Sequence, residues 1–298
     1  MRGNFLNPVK SSPRTPCCIQ ARAGRELPPV LTPIWMPLIG WLVLALVMLA
    51  LWARQRTTRN AGWVDVAWTF GVGGLGVLYA LTQPGWLPRR VLVGTLIGLW
   101  ALRLGSHLYQ RVGSEPEDGR YARMRSAKGA DIDRWLFWFF QAQALMALVL
   151  SLPFFFLTRS GLEGWHGWDG LAVGLWVVSV VGEGLADRQL KAWRQSAHGK
   201  GKTCRVGLWR YSRHPNYFFE WVHWLVYPVL AIGMSGGSWL WLAPLGMFVL
   251  IRYVTGIPPT EEQSLKSRGE DYRAYQRTTN AFFPGPPRPG AQPIHTTP

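Results

Sequence analysis

Val206-Gly-Leu-Trp-Arg-Tyr-Ser-Arg-His-Pro-Asn-Tyr-Phe-Phe-Glu220 changes character in the middle. It begins polar and basic, then from Pro215 runs straight into an apolar helix. Arg210, Arg213, His214, Asn216 and Glu220 fall close together at what reads as a membrane surface. Basic and amide side chains seldom sit against lipid unless they serve a water-filled site. The stretch therefore predicts an all-α membrane bundle with a polar site at one of its surfaces.

The composition agrees with this. Of 298 residues, 48% are hydrophobic, only 16% are charged, and 18 are Trp. Long apolar runs separated by short basic patches are the pattern of a membrane protein. The net charge of +16 raises the question of nucleic acid. Lys and Arg cluster in the loops between apolar runs, however, so positive cytoplasmic loops explain the charge and no nucleic-acid partner is expected. Membrane lipid headgroups or a phosphate-bearing cofactor use the same charges. Cys17, Cys18 and Cys204 read as free thiols, and no metal-ligand spacing occurs.

Seven spans are predicted, at about 34–53, 62–82, 89–109, 135–158, 168–186, 216–234 and 238–257, each near the length that crosses a bilayer. The last two form a helical hairpin. With seven spans the Arg- and Lys-rich loops all fall on one side, and the opposite loops hold Arg89, Arg90 and Arg159. The positive-inside rule then places the C-terminus in the cytoplasm. An integral, multi-pass protein of the bacterial inner membrane is the expected location. Residues 1–32 and 285–298 are rich in Pro and read as disordered tails. A translation start at Met36 is a further reading of the first tail, which native peptides spanning Cys17 would exclude.

Several constellations could carry chemistry. A literal GxGxxG at Gly71, Gly73 and Gly76 lies within an apolar span with no preceding strand, so it reads as helix packing and not as a dinucleotide fingerprint. Asp187, Lys191 and Arg194 share one helix face, which suits either an ordinary helix end or a cradle for phosphate and ribose. Arg205, Arg210 and Arg213 add charge for a polyphosphate, and His214-Pro215 marks the turn into the sixth span. Asn216 and Glu220 lie one turn apart, as a cap with a structural pair or as a binding pair for a carboxamide. Arg103, His107 and Arg111 recur every four residues. Their face and Asp65, the only acidic residue deep in the first four spans, read as a natural pair. The mixed charges of Arg111 to Arg123 read as a solvated loop. Leu265, Tyr272 and Tyr275 give the segment after Thr260 an apolar face suited to a surface helix.

Glu117-Asp-Gly-Arg-Tyr121, Gly207 to Glu220, Gly269-Glu-Asp-Tyr-Arg-Ala-Tyr275 and Phe282-Phe-Pro284 carry a resemblance to the DUF1295 membrane proteins, which look like relatives of the steroid 5-alpha-reductases. It runs from about Asn60 to Pro284, so 33–284 reads as one membrane domain with a cofactor half at about 168–284. The resemblance implies NADPH as cofactor. Asp187, Lys191 and Arg194 would hold its ribose and phosphates. Arg205, Arg213 and His214 would lie along the phosphates, and Asn216 and Glu220 at the nicotinamide carboxamide. Asp271, Tyr272 and Arg277 would belong to a tail closing over it.

The substrate half departs from the steroid enzymes. Asp65 stands where they use Glu, and Leu108 stands where they use Tyr, with His107 before it and Tyr109 after. Isoprenylcysteine carboxyl methyltransferases are similar in their Arg-His-Pro turn and in the tail about Glu261-Glu262, and bind S-adenosylmethionine. The expected function is NADPH-dependent reduction of an activated carbon–carbon double bond in a lipid-like substrate, with Asp65, His107 or Tyr109 polarising the carbonyl and supplying the proton. The alternatives are S-adenosylmethionine-dependent methyl transfer and non-enzymatic lipid binding.

Overall fold

With no water in a bilayer core, each backbone N–H and C=O must be satisfied inside its own segment, so apolar runs of this length become helices. A computed structural model describes residues 35–199 and 201–289. The tail expected at 1–32, with Cys17 and Cys18, lies outside the described residues, as do Lys200 and residues 290–298. Helices α1 (Met36–Thr58), α2 (Trp63–Thr82), α3 (Leu87–Ser114), α4 (Gly119–Lys128) and α5 (Ile132–Arg159) come first. They are followed by α6 (Gly167–Gln195), α7 (Pro215–Leu230), α8 (Leu242–Val249) and α9 (Ile257–Thr278). Among the described residues there is no β-strand.

Six stretches are long and apolar enough to cross a membrane: Met36–Thr58, Trp63–Thr82, Leu87–Ser114, Gly119–Arg159, Gly167–Gln195 and Gly237–Thr278. The chain is an integral, multi-pass membrane protein. The count is one below the seven expected, and α7 makes the difference. Its 16 residues extend about 24 Å at 1.5 Å per residue, short of a hydrocarbon core of about 30 Å. Most of its side chains are buried inside the protein, where lipid does not set the length.

α2 packs on α3 and α5, α1 lies against α5, and α6 pairs with α7. The GxGxxG glycines serve this packing. A Cβ on Gly73 would lie 2.2 Å from that of Ala101, and one on Gly71 would meet Leu44 at 2.6 Å. Trp100, Phe154, Trp224 and Tyr227 fill the centre and are fully buried. α1 instead exposes Leu38, Ile39, Leu42, Val43 and Leu46, as a lipid-facing helix does.

Two other expectations change. The Arg111–Arg123 segment is not simply a solvated loop, because its second half forms α4 under a cap in which Arg120 N–H donates to the Asp118 side chain. The tail expected from 285 is tied down through its first residues, since Gly285 N–H donates to Tyr211 O and Arg288 N–H to Thr278 O.

Arg89, read as a loop charge, lies inside α3 at 1% exposure. Its guanidinium meets the Asp169 carboxylate at 3.0 Å and donates to Leu230 O at 2.7 Å, joining the ends of α3, α6 and α7. Removing one partner of a buried pair strands the other. Arg89→Ala is therefore expected to lower unfolding stability by about 3–5 kcal/mol. Arg90→Ala, which loses bonds only to the end of α2, is expected to cost far less. Thermal unfolding in detergent reads both.

Candidate functional site

The loop from Thr203 to His214 is held between α6 and α9. Leu208 N–H donates to Gln189 Oε1 at 2.9 Å, and Trp209 Nε1 donates to Ala186 O at 2.9 Å. Gly207 has φ +58°, and a Cβ there would come within 2.4 Å of the Gln189 amide, so glycine is required. From the other side Arg213 donates to Glu261 Oε1 at 2.6 Å and to Thr279 O at 2.6 Å. Arg205 pairs with Asp271 at 2.9 Å, and Asp271 also accepts from Thr203 N–H at 2.7 Å. Cys204, buried beside them, is a free thiol.

These contacts wall a cavity of about 580 Å³. Its remaining wall comes from the end of α3, the 115–118 turn, the start of α4 and the first turn of α7. Arg111, Arg120, Arg194, Lys202, Arg213 and Arg268 all line it. Arg111 and Arg120 pair with Asp118, and Arg213 with Glu261. Arg194, Lys202 and Arg268 have no carboxylate partner among the described residues. Arg268 lies over the Tyr272 ring, 5.3 Å from its centre, and donates to Ser264 Oγ at 2.6 Å. Its Nε and the Thr203 hydroxyl are buried without a partner. Outside the cavity lining, Arg123 of α4 meets Glu262 of α9 at 2.5 Å.

The residues expected to hold a cofactor divide. Arg194, Arg213, His214, Asn216 and Tyr272 line the cavity. His214 is buried, stacks on Tyr217 and lies 3.3 Å from Glu261 Oε1. Lys191 and Arg277 are exposed and lie off the wall, and Arg205 and Asp271 form the strap behind it. Asp187 pairs with Arg103 and accepts from Asn216 Nδ2 at 3.4 Å. Glu220 is buried away from the cavity, each carboxylate oxygen accepting an indole N–H at 2.9 Å, from Trp100 and from Trp224. Lys202, Thr203 and Arg268 were not expected. Arg268 had a signal, since it follows Ser264 by four residues on one helix face, just before the kink at Gly269.

The residues expected to polarise a carbonyl do not converge. Asp65 accepts from Tyr121 Oη at 2.8 Å and from Arg120 Nη2 at 2.9 Å. This corrects the expected pairing of Asp65 with the Arg103 face. Asp65 begins α2 and faces α4, while Arg103 turns to Glu183 and Asp187 of α6. His107 Nε2 lies 3.9 Å from Asp187 Oδ2. Tyr109 is exposed and rests edge-on against Trp63, 5.4 Å between ring centres. Among the described residues no group of His, Cys, Asp and Glu could hold a metal.

The family described as "Protein of unknown function (DUF1295)" matches residues 51–279, and the chain belongs to it. It is similar to an uncharacterised protein of Schizosaccharomyces pombe, 25% identical over 279 residues, which cover 83% of this chain and 79% of that protein. No solved structure matches.

Asp118 and His214 are two of the cavity-wall groups that titrate away from their ordinary values. Burial raises the Asp118 carboxyl, but Arg120 and Arg111 outweigh it and hold it at about 2. Burial pushes the His214 imidazole below its ordinary 6.5, against the pull of Glu261. A depressed carboxyl stabilises the fold above its unfolded value and loses that contribution as pH falls through the folded one. A depressed imidazole favours the unfolded state once pH drops below the unfolded value. Melting temperature is therefore expected to start falling below about pH 6.5, and to fall further between the ordinary Asp value of 3.8 and about 2. His214→Gln is expected to flatten the first slope and Asp118→Asn the second, in melting curves recorded across pH.

Proposed function

We propose that this membrane protein is an NADPH-dependent reductase of an activated carbon–carbon double bond in a lipid-like substrate. The observation that supports the reading most is the cavity with Arg194, Lys202 and Arg268 on its wall, none of them in an ion pair among the described residues. Three cations outside any ion pair in one cleft are suited to a polyphosphate, and the orphaned Arg268 Nε and Thr203 hydroxyl are donors such a ligand would satisfy. The volume lies within the range of small-molecule and cofactor sites. NADPH, when bound, supplies the hydride.

The residues then take distinct tasks. Arg194, Lys202 and Arg268 bind phosphate, and the Arg205–Asp271 strap keeps Thr203 on the wall. Asn216 orients the far end of the ligand. His107, 40% exposed and beside Asp187, is assigned the proton. Asp65 is occupied by two donors and Tyr109 turns outward, so both are given supporting parts. The same reading places the basic loops, the cavity and the C-terminus on the cytoplasmic side, with the bacterial inner membrane as location. The likeness to steroid 5-alpha-reductases supports the reaction class, and it leaves the substrate open beyond a lipid-like molecule reaching the site from the bilayer.

Thermal-shift titration of the purified protein tests this. NADPH is expected to raise the melting temperature, and Arg268→Ala or Arg194→Ala to weaken its binding about tenfold or more, the usual loss for a charge-assisted hydrogen bond. Stabilisation by S-adenosylmethionine alone would move the protein to the methyltransferase class. No response to either ligand removes the enzyme reading in favour of lipid binding.

A further inference from the structure

Arg103 lies between the two halves of the bundle. It projects from α3 and meets Glu183 at 2.6 Å and Asp187 on α6, with its own side chain 20% exposed and theirs 7% and 12%. His107, one turn further along α3, approaches Asp187 from its more exposed side at 3.9 Å. Paired with a guanidinium, the Asp187 carboxylate serves its neighbours as a hydrogen-bond acceptor.

The next group outward is Asn216, in the first turn of α7 and on the cavity wall. The two ends of an amide are alike in shape and opposite in hydrogen bonding. Facing an acceptor-only carboxylate, the amide must turn its NH2 inward, and Nδ2 does donate to Asp187 Oδ1 at 3.4 Å. The carbonyl oxygen is then left for the cavity, and no donor meets it among the described residues. Glu220, one turn along, lies off the cavity wall and directs one oxygen to Trp100 and the other to Trp224.

We propose that Arg103 is a positioning residue that acts through Asp187 to fix the Asn216 amide with its carbonyl toward the cavity, so that the ligand group bound there is an N–H donor. A primary carboxamide or an ammonium group meets that requirement. A ketone, ester or carboxylate does not. Neither the family match nor the resemblance assigns Arg103 this part, and its relevance to NADPH rests on the cofactor reading above.

The test compares NADPH with its acetylpyridine analogue, in which a methyl ketone replaces the carboxamide and no N–H remains at that end of the molecule. In the full-length wild type, NADPH is expected to bind about tenfold more tightly than the analogue, the weight of one well-placed hydrogen bond. Arg103→Gln is expected to weaken NADPH and leave the analogue nearly unchanged, and Arg103→Lys to restore part of the difference. Equal weakening of both ligands would reduce Arg103 to a purely structural part and overturn the inference.

A second measurement needs no ligand. Asn216→Asp sets two carboxylates against each other and is expected to lower the melting temperature. Adding Asp187→Asn restores a donor facing an acceptor and is expected to recover it. If the exchange recovers nothing, the assigned polarity falls. Should NADPH fail to bind the wild type, the cofactor reading fails, and the exchange alone decides the inference.

Discussion

The guanidinium of Arg103 joins two packing units across a largely apolar boundary. On one side lie α2 and α3 with the helices around them, and on the other the α6–α7 pair. A charge at this depth is tolerable only with partners at hand, so the bond to Glu183 and Asp187 fixes the rotation of α3 against α6. That rotation in turn sets where the first turn of α7 and the end of α3 stand, and those are two walls of the cavity. Arg89 does the same at the opposite end of α3, against Asp169 and the last carbonyl of α7. Two arginines on one helix, Arg89 buried and Arg103 partly so, thus hold the α6–α7 pair at both ends.

The cavity is built where the apolar frame ends. Its walls are short pieces, the 115–118 turn, the 203–214 loop and α9, none of which has a hydrophobic face wide enough to stand alone. Polar contacts replace that missing packing. Tyr275 Oη donates to the backbone carbonyls of Trp209 and Ser212, Arg213 reaches Glu261 and Thr279, and Asp271 holds Thr203 and Arg205. Most charges in the neighbourhood are spent on this scaffolding. Arg194, Lys202 and Arg268, which enter no ion pair among the described residues, stand out for that reason, and all three line the wall.

Much of the frame was legible in the sequence, because apolar length and basic loops are local signals. α7 was harder. It is as apolar as its neighbours, and only the three-dimensional packing reveals that it is short and enclosed. α4 was hidden for a related reason. Arg120, Arg123 and Arg125 look like solvated loop charges until their partners are seen, and Asp65, Glu262 and Gln55 lie far off in sequence. The site divided along the same line. Arg194, Arg213, His214, Asn216 and Tyr272 could be picked by spacing and chemistry. Glu220 sits one turn from Asn216 and suggests a shared task, yet its partners are tryptophans, one of them on α3. Spacing along a helix tells which residues share a face and says nothing about what that face meets.

The Arg123–Glu262 contact has a consequence of another kind. It ties α4 to α9, with its glutamate side chain 54% exposed, and neither residue lines the cavity. An exposed ion pair is screened by dissolved salt, so its hold on the two helices weakens as ionic strength rises. The junction of Arg103 with Glu183 and Asp187 is far more enclosed, and salt scarcely reaches it. The firmness of the α4–α9 seam is thereby tied to the water outside, while the register of α3 against α6 is set by groups that this water hardly touches.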